Sequence, residues 1–229
     1  MQRFVFATRN HHKIRELEEI LGGGELTISA LPGEAPEVEE TEPSFAGNAA
    51  LKAISAFQFT GLPSLADDSG ICVKALDGAP GVLSARYSGP YATSASNNAE
   101  LIWALAGIEE RAAWYACSLA LVCPRSALSP GPLPHEEGVT VLEDAGAAGL
   151  PAPPAGCLMV LAEGRVDGQV IDVPAGEGGF GYDPHFWLPS HGCTMAQLPA
   201  AEKHAVSHRG EAMRRLGRWL ARARGEGLR

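Results

Sequence analysis

The first residues constrain the fold most. Arg3–Ala7 (RFVFA) is a short apolar, β-prone run that ends in Thr8-Arg9-Asn10. Ile14, Leu17, Ile20 and Leu21 then recur at helical spacing, and Gly22-Gly23-Gly24 closes the segment. The pattern predicts a strand, a tight turn and a helix. Free backbone N–H groups and the helix dipole both converge on such a turn, which makes it a natural seat for an anion.

Further along, strands and helices alternate. Pro32–Pro43 is acidic and proline-bearing, so a loop or irregular strand is expected. Phe45–Phe57 reads as an Ala-rich helix on which Asn48 and Lys52, four apart, share a face. Leu62–Ala66 reads as a strand leading into Asp67-Asp68-Ser69-Gly70, with a second strand over Ile71–Leu76. A helix from about Ala95 to Leu105 and a long strand from Ala112 to Cys123 follow. Pro124–Pro154 holds seven of the 17 prolines and only Val139–Leu142 looks strand-like there, so residues 124–156 are expected to form an insertion, mobile or packed on the surface. Cys157–Ala162 and Val166–Val173 suggest a hairpin-like pair, and Met213, Leu216, Trp219 and Leu220 give the last helix an apolar stripe.

Composition excludes several classes. The net charge of −9 disfavours a nucleic-acid partner, whose phosphates would be repelled. No apolar run approaches the ~20 residues of a membrane span. The N-terminus lacks a signal-peptide core, and the five cysteines form no C-x-x-C pair, both expected of a cytoplasmic protein. Only four of the 18 basic residues are lysines: Lys13, Lys52, Lys74 and Lys203. A lysine kept where arginine dominates can mark a site that wants a compact point charge.

Gly176-Glu-Gly178-Gly-Phe-Gly181 matches the G-x-G-x-x-G fingerprint of dinucleotide-binding loops. Its context does not: the loop comes late in the chain, and Tyr182-Asp183-Pro184 disfavours a helix directly after it. Phe180 among glycines could instead stack on a nucleobase, or pack in the core. Asp67-Asp68 could serve acid–base chemistry or hold Mg²⁺ with help from Glu39 or Glu40, although Asp-Asp-Ser-Gly is also a turn-forming string. Alternation along a strand would let only one of the two aspartates face the site. His204 and His208, four apart, could bridge a metal on a helix, without the glutamate of H-E-x-x-H.

Taken in order, ATRNHHKIREL, EETEPSFAGNAALKA, LADDSGICVKALDGAPGVLSARYSG, PAGEGGFGYDPHF and AAEKHAVSHRGEAMRRL resemble the inosine/xanthosine triphosphate pyrophosphatases, which hydrolyse non-standard purine nucleotides. The windows span most of the chain outside the insertion. The resemblance implies one two-lobed α/β domain over residues 1–229, with a long mixed central sheet, flanking helices and an active-site cleft between the lobes. It implies a homodimer that hydrolyses ITP, dITP or XTP to the monophosphate and pyrophosphate with Mg²⁺. Carried over by residue, Thr8, Asn10 and Lys13 match the triphosphate-binding turn, and Asn48 and Lys52 the helix that supplies phosphate or metal-site contacts. Glu40 matches a metal-binding acid and Asp68 the general base or metal ligand, flanked by Asp67 and Ser69. Phe180 matches the base-stacking ring, with Tyr182 in the same loop, and Asp183, Lys203, His208 and Arg209 match the readers of the base edge.

Three features depart from the resemblance. Arg9 stands where a small residue is usual, Gly47 where a glutamate is usual, and the insertion is longer than the usual connection. A nucleotide sensor without turnover would not need the retained set Lys13, Glu40, Lys52 and Asp68.

Overall fold

A computed structural model describes residues 2–21, 26–143 and 149–225. The expected stop at Gly22-Gly23-Gly24 and residues 144–148 of the insertion lie outside the described residues. Strands β1 (Gln2–Phe6), β2 (Leu26–Ala30), β3 (Ser64–Val73), β4 (Ala112–Pro124), β5 (Val139–Leu142), β6 (Cys157–Val170), β7 (Phe186–Leu188) and β8 (Cys193–Thr194) form one sheet. Its order is β2-β1-β3-β4-β6-β7-β8, with β5 paired to β6. β1 runs parallel to β2 and β3, whereas β5, β7 and β8 pair antiparallel, so the sheet is mixed. The helices are α1 (His11–Leu21), α2 (Phe45–Thr60), α3 (Ser94–Ala104), α4 (Ala200–Val206) and α5 (His208–Ala223). Among the described residues no helix is long and apolar enough to cross a membrane.

The chain divides into two compact units. The first comprises Met1–Asp68, Ser118–Gly164 and Gly210–Arg229. Its core sets Ala49, Ala50, Ala53 and Ala56 of α2 among Ala66, Ala120, Val122 and Met159 of the strands. Small side chains on α2 let helix and sheet approach closely. The helix starts where Ser44 Oγ accepts from Gly47 N–H (3.1 Å) and stops at Gly61, left-handed at φ 68°, whose N–H bonds Phe57 O.

The insertion is not loose where it is described. Glu136 pairs with Arg218 (2.8 Å) and with Arg222, one turn apart on α5. Trp219 Nε1 donates to Pro134 O (3.0 Å), which seats this stretch on the last helix. Gly217 in the middle of α5 lines a small apolar cavity with Phe4, Leu65, Leu121 and Met213, and a Cβ added there meets nothing within 4 Å. Gly217→Ala should therefore stabilise the protein by about 0.5–1 kcal/mol, read as a rise in urea midpoint, because it removes a helix-interior glycine at no steric cost. A lower midpoint would mean the cavity cannot take the methyl.

The second unit comprises Ser69–Cys117 and Arg165–Arg209. Ile71, Val73, Leu101, Leu105, Tyr115 and Phe186 dominate its core.

Three sequence expectations need correction. Asp67-Asp68-Ser69-Gly70 is not a turn at a strand end but the middle of β3, where all but Ser69 are buried. Glycine is required there, because a Cβ at Gly70 would strike Ser84 Oγ and the Gly81 carbonyl. The hairpin after Cys157 is one continuous strand, β6, running through Glu163-Gly164. Finally, His204 lies in the last turn of α4 and His208 begins α5, with Ser207 extended between them (ψ 152°), so the two histidines do not share one helix face. All five cysteines are free, and burial pushes the Cys123 thiol up to about 11.

Candidate active site

In the first unit, β3 brings Asp67 and Asp68 into the interior and two helices meet them with cations. Lys13, in the first turn of α1, places Nζ 3.1 Å from Asp67 Oδ2. Lys52 of α2 donates to Asp68 Oδ1 (3.3 Å) and to Glu40 Oε1 (2.7 Å). Asn48, one turn earlier and fully buried, donates from Nδ2 to Asp68 Oδ2 (3.3 Å). Each oxygen of Asp68 thus has its own donor. The strand alternation is obeyed, but both aspartates are used, each with a different lysine.

The turn before α1 is built as the sequence suggests. Asn10 N–H donates to Thr8 Oγ1 (3.2 Å), and Asn10 Oδ1 accepts from Lys13 N–H (3.4 Å). This is N-cap geometry, which leaves the first helical N–H groups and the Lys13 ammonium in one neighbourhood.

Burial pushes the Asp68 carboxyl above the usual carboxylate range, and Lys52 and Lys13 offset only part of that. Burial works to lower Lys52, but Asp68, Asp67 and Glu40 together outweigh it and hold the ammonium above the ordinary lysine value. The pair is therefore a permanently charged lysine beside a carboxylate that takes up a proton more readily than a solvated one. That is the profile of a general base.

The acids also fit a hard cation in part. No group of three or more His, Cys, Asp or Glu side chains converges on one point among the described residues. Glu40 and Asp68 instead converge on Lys52. Two carboxylates with only oxygen donors suit Mg²⁺, which keeps several waters and draws its other ligands from substrate phosphates.

In the second unit the glycine loop is organised by Asp183. Its Oδ2 accepts from Phe180 N–H (2.9 Å) and from Lys203 Nζ (2.9 Å). Gly179, left-handed at φ 71°, lies so close that any Cβ would strike this carboxylate. Phe180 is half-buried and lies outside the core cluster. Lys203 Nζ and Arg209 Cζ lie 5.1 and 5.9 Å from its centroid. Arg209, 2% exposed, donates to Ser69 Oγ (3.0 Å). No helix opens after the loop; Asp183–His185 is a single 3-10 turn, unlike a dinucleotide fingerprint.

Tyr182 behaves differently from its neighbours. It is buried in the core, and its hydroxyl donates to Ser84 O (2.8 Å), so it anchors the loop from below. Two supporting residues carried no sequence signal. Tyr115 stacks on the His208 imidazole (4.8 Å, 11°), and Asn98 Nδ2 holds Gly181 O (3.1 Å). Alternation along β4 marks Tyr115 only as inward-facing, and Asn98 is one of several polar residues in the first half of α3.

The sequence profile of the Ham1 family matches residues 4–141 and 147–219. The chain belongs to the Ham1 family. Among Ham1-related sequences, the dITP/XTP pyrophosphatase of Geobacter sulfurreducens is 42% identical over 217 residues, covering 93% of this chain and 94% of the relative. That of Chromobacterium violaceum is 44% identical over 214 residues, covering 92% and 93%. Among solved structures, a HAM1 protein from Coxiella burnetii superposes with a TM-score of 0.77 at 35% identity, covering 97% of this chain and all of that one. The dITP/XTP pyrophosphatase of Mycobacterium abscessus gives 0.66 at 37% identity, with 94% and 98% covered. The Ham1 fold is thus an α/β fold with a mixed central sheet, as the resemblance implied.

Proposed function

We propose that this chain is a Mg²⁺-dependent pyrophosphohydrolase of non-standard purine nucleoside triphosphates (ITP, dITP and XTP), releasing the monophosphate and pyrophosphate. The observation that carries the reading is Asp68: a buried carboxylate with one oxygen on Lys52 and the other on Asn48, beside the Asp67–Lys13 pair. The names of the relatives in Geobacter and Chromobacterium support it. A homodimer in the cytoplasm belongs to the same reading.

The residues divide the work. Lys13 and the turn Thr8–Asn10 take the triphosphate through an ammonium and free helix N–H groups. Lys52, held charged by three carboxylates, neutralises charge developing on the phosphoryl oxygens. Asp68 accepts the proton of the attacking water, with its orientation fixed by Asn48. Glu40 and Asp68 would hold the Mg²⁺, which when bound polarises the phosphoryl oxygens. Phe180 stacks on the base. A 6-keto purine offers an acceptor to donors on His208 and Arg209; adenine offers an amino group there and leaves donors unpaired, a loss of about 1–3 kcal/mol.

A product assay with Mg²⁺ and ITP, XTP, GTP, ATP or dTTP, separating pyrophosphate from orthophosphate, tests the reading. Pyrophosphate with ITP and XTP far ahead supports it; binding of ITP without turnover of any nucleotide would leave a sensor. Two further outcomes follow. Protonated Asp68 cannot accept a proton, so kcat/KM falls as pH drops through its pKa. In the metal-free protein burial raises that pKa, so the Asp68 carboxyl, followed by NMR without Mg²⁺, should titrate above the ordinary aspartate value of about 3.9. Titration at or below that value without metal removes the buried, proton-accepting character assigned to Asp68. His208→Ala should narrow the preference for ITP over ATP, and unchanged selectivity would count against base reading by the imidazole.

A further inference from the structure

Two of the departures noted in the sequence, Arg9 and Gly47, act on the same loop. Arg9 Nη2 donates to the Ala35 carbonyl (2.6 Å). Gly47, the third residue of α2, leaves a notch that the Glu42 side chain fills. A Cβ at position 47 would lie 2.5 Å from Glu42 Cβ, 2.8 Å from its Cγ and 3.0 Å from its Oε2. The Glu42 N–H in turn donates to Asn48 Oδ1 (2.9 Å), and Asn48 Nδ2 continues to Asp68. Between Ala35 and Glu42 the chain has neither helix nor strand, yet it must deliver Glu40 to Lys52. Such a segment takes its position from its anchors rather than from a ladder of its own.

We propose that Arg9 and the Glu42–Gly47 notch are positioning residues: they clamp the acidic loop at either end, and so set Glu40 on Lys52 and Asn48 on Asp68. This rests on the activity proposed above. The missing side chain at Gly47 is then the condition for the clamp, since any substituent would push Glu42, and with it the donor to Asn48, away from α2. Because the Arg9 guanidinium engages a backbone carbonyl of the loop, its removal should act on the acid site more than on triphosphate affinity.

The test pairs a clash with its relief. Gly47→Ala should lower kcat for ITP by about tenfold to a hundredfold with KM within about threefold, as expected when acid-site groups shift by about an ångström. The half-saturating Mg²⁺ concentration should rise as well. Adding Glu42→Gly removes all three crowding atoms and should recover most of the loss. Arg9→Ala should raise the Mg²⁺ requirement, with Arg9→Lys recovering part of it. Mn²⁺ binding to the protein without nucleotide, by calorimetry, should weaken in Gly47→Ala and return in the double variant.

Gly47→Ala with unchanged kcat and Mn²⁺ affinity, or a double variant that recovers neither, overturns the notch. Arg9→Ala raising KM at an unchanged Mg²⁺ requirement puts that guanidinium on the phosphates and overturns its part. Should Gly47→Ala not fold, the double variant with Glu42→Gly, which relieves the clash, must fold and bind Mn²⁺ with near wild-type affinity; a double variant that fails in either is fatal to the proposal. A wild-type protein that binds Mn²⁺ but turns over no nucleotide refutes the proposed activity instead, and the ordering of Mn²⁺ affinities among the variants still judges the clamp.

Discussion

Asp68→Asn is expected to abolish turnover, lowering kcat by about 10²–10⁴-fold, the usual contribution of a positioned general base. The substitution is nearly isosteric and keeps an acceptor for Lys52, while its amide NH2 replaces the oxygen that accepts from Asn48, so one hydrogen bond is lost but the packing should survive. It also removes a carboxylate whose burial already opposes its charge, so the unfolding midpoint should change little. Nucleotide binding, measured by calorimetry, should persist because Lys13 and the Thr8–Asn10 turn are untouched. Loss of activity with intact fold and binding identifies a chemical role. A variant retaining more than about a tenth of wild-type kcat would transfer the base to another group.

Asp183→Ala should produce the largest loss of stability, about 3–5 kcal/mol, because it strips a buried lysine of its carboxylate. Asp183 and Lys203 side chains are only 6% and 10% exposed, so water cannot readily replace the lost partner. The same change frees the Phe180 N–H and slackens the glycine loop. Replacing both partners, with Asp183→Leu and Lys203→Met together, should restore much of the urea midpoint without restoring nucleotide affinity. That contrast separates the contribution of the pair to folding from its contribution to holding Phe180. A wild-type midpoint in Asp183→Ala would show that the pair is not as buried as its geometry indicates.

The long, strongly patterned elements were legible in the sequence. The strand–turn–helix start, the α2 helix with Asn48 and Lys52 on one face, and the β4 strand all follow their periodicities. Asp67-Asp68-Ser69-Gly70 misled because its local propensity is that of a turn, while its surroundings are those of a sheet interior. Flanking strands take its backbone groups, and Lys13 and Lys52 make the burial of two carboxylates tolerable. The break between Ala162 and Val166 suggested a hairpin, but the chain continues extended through it. β7 and β8, three and two residues long, are too short to carry a period.

The site shows the same division. Residues whose type announces chemistry, such as Lys52, Asp68 and Phe180, could be picked out singly and by resemblance. Residues that act by geometry could not. Glu42 matters through the space it fills over Gly47, Tyr115 through a stack on His208, and Asn98 through one carbonyl. Each of these relations joins positions whose meeting only the fold decides.

The order in which the chain enters its two units has a consequence for biosynthesis. The polypeptide leaves the first unit between Asp68 and Ser69, within β3, and returns at Ser118, within β4. It leaves again after Gly164 and comes back only at Gly210, near the start of α5. A ribosome therefore releases β1, α1 and α2 long before the helix whose Met213 and Leu220 share a cavity lining with Phe4 and Leu65. Until then those apolar faces lack their cover and depend on contacts distant in sequence, a topology that folds slowly. The nascent amino-terminal segment is thus a natural client for a chaperone, and a chain interrupted before α5 a natural substrate for proteolysis.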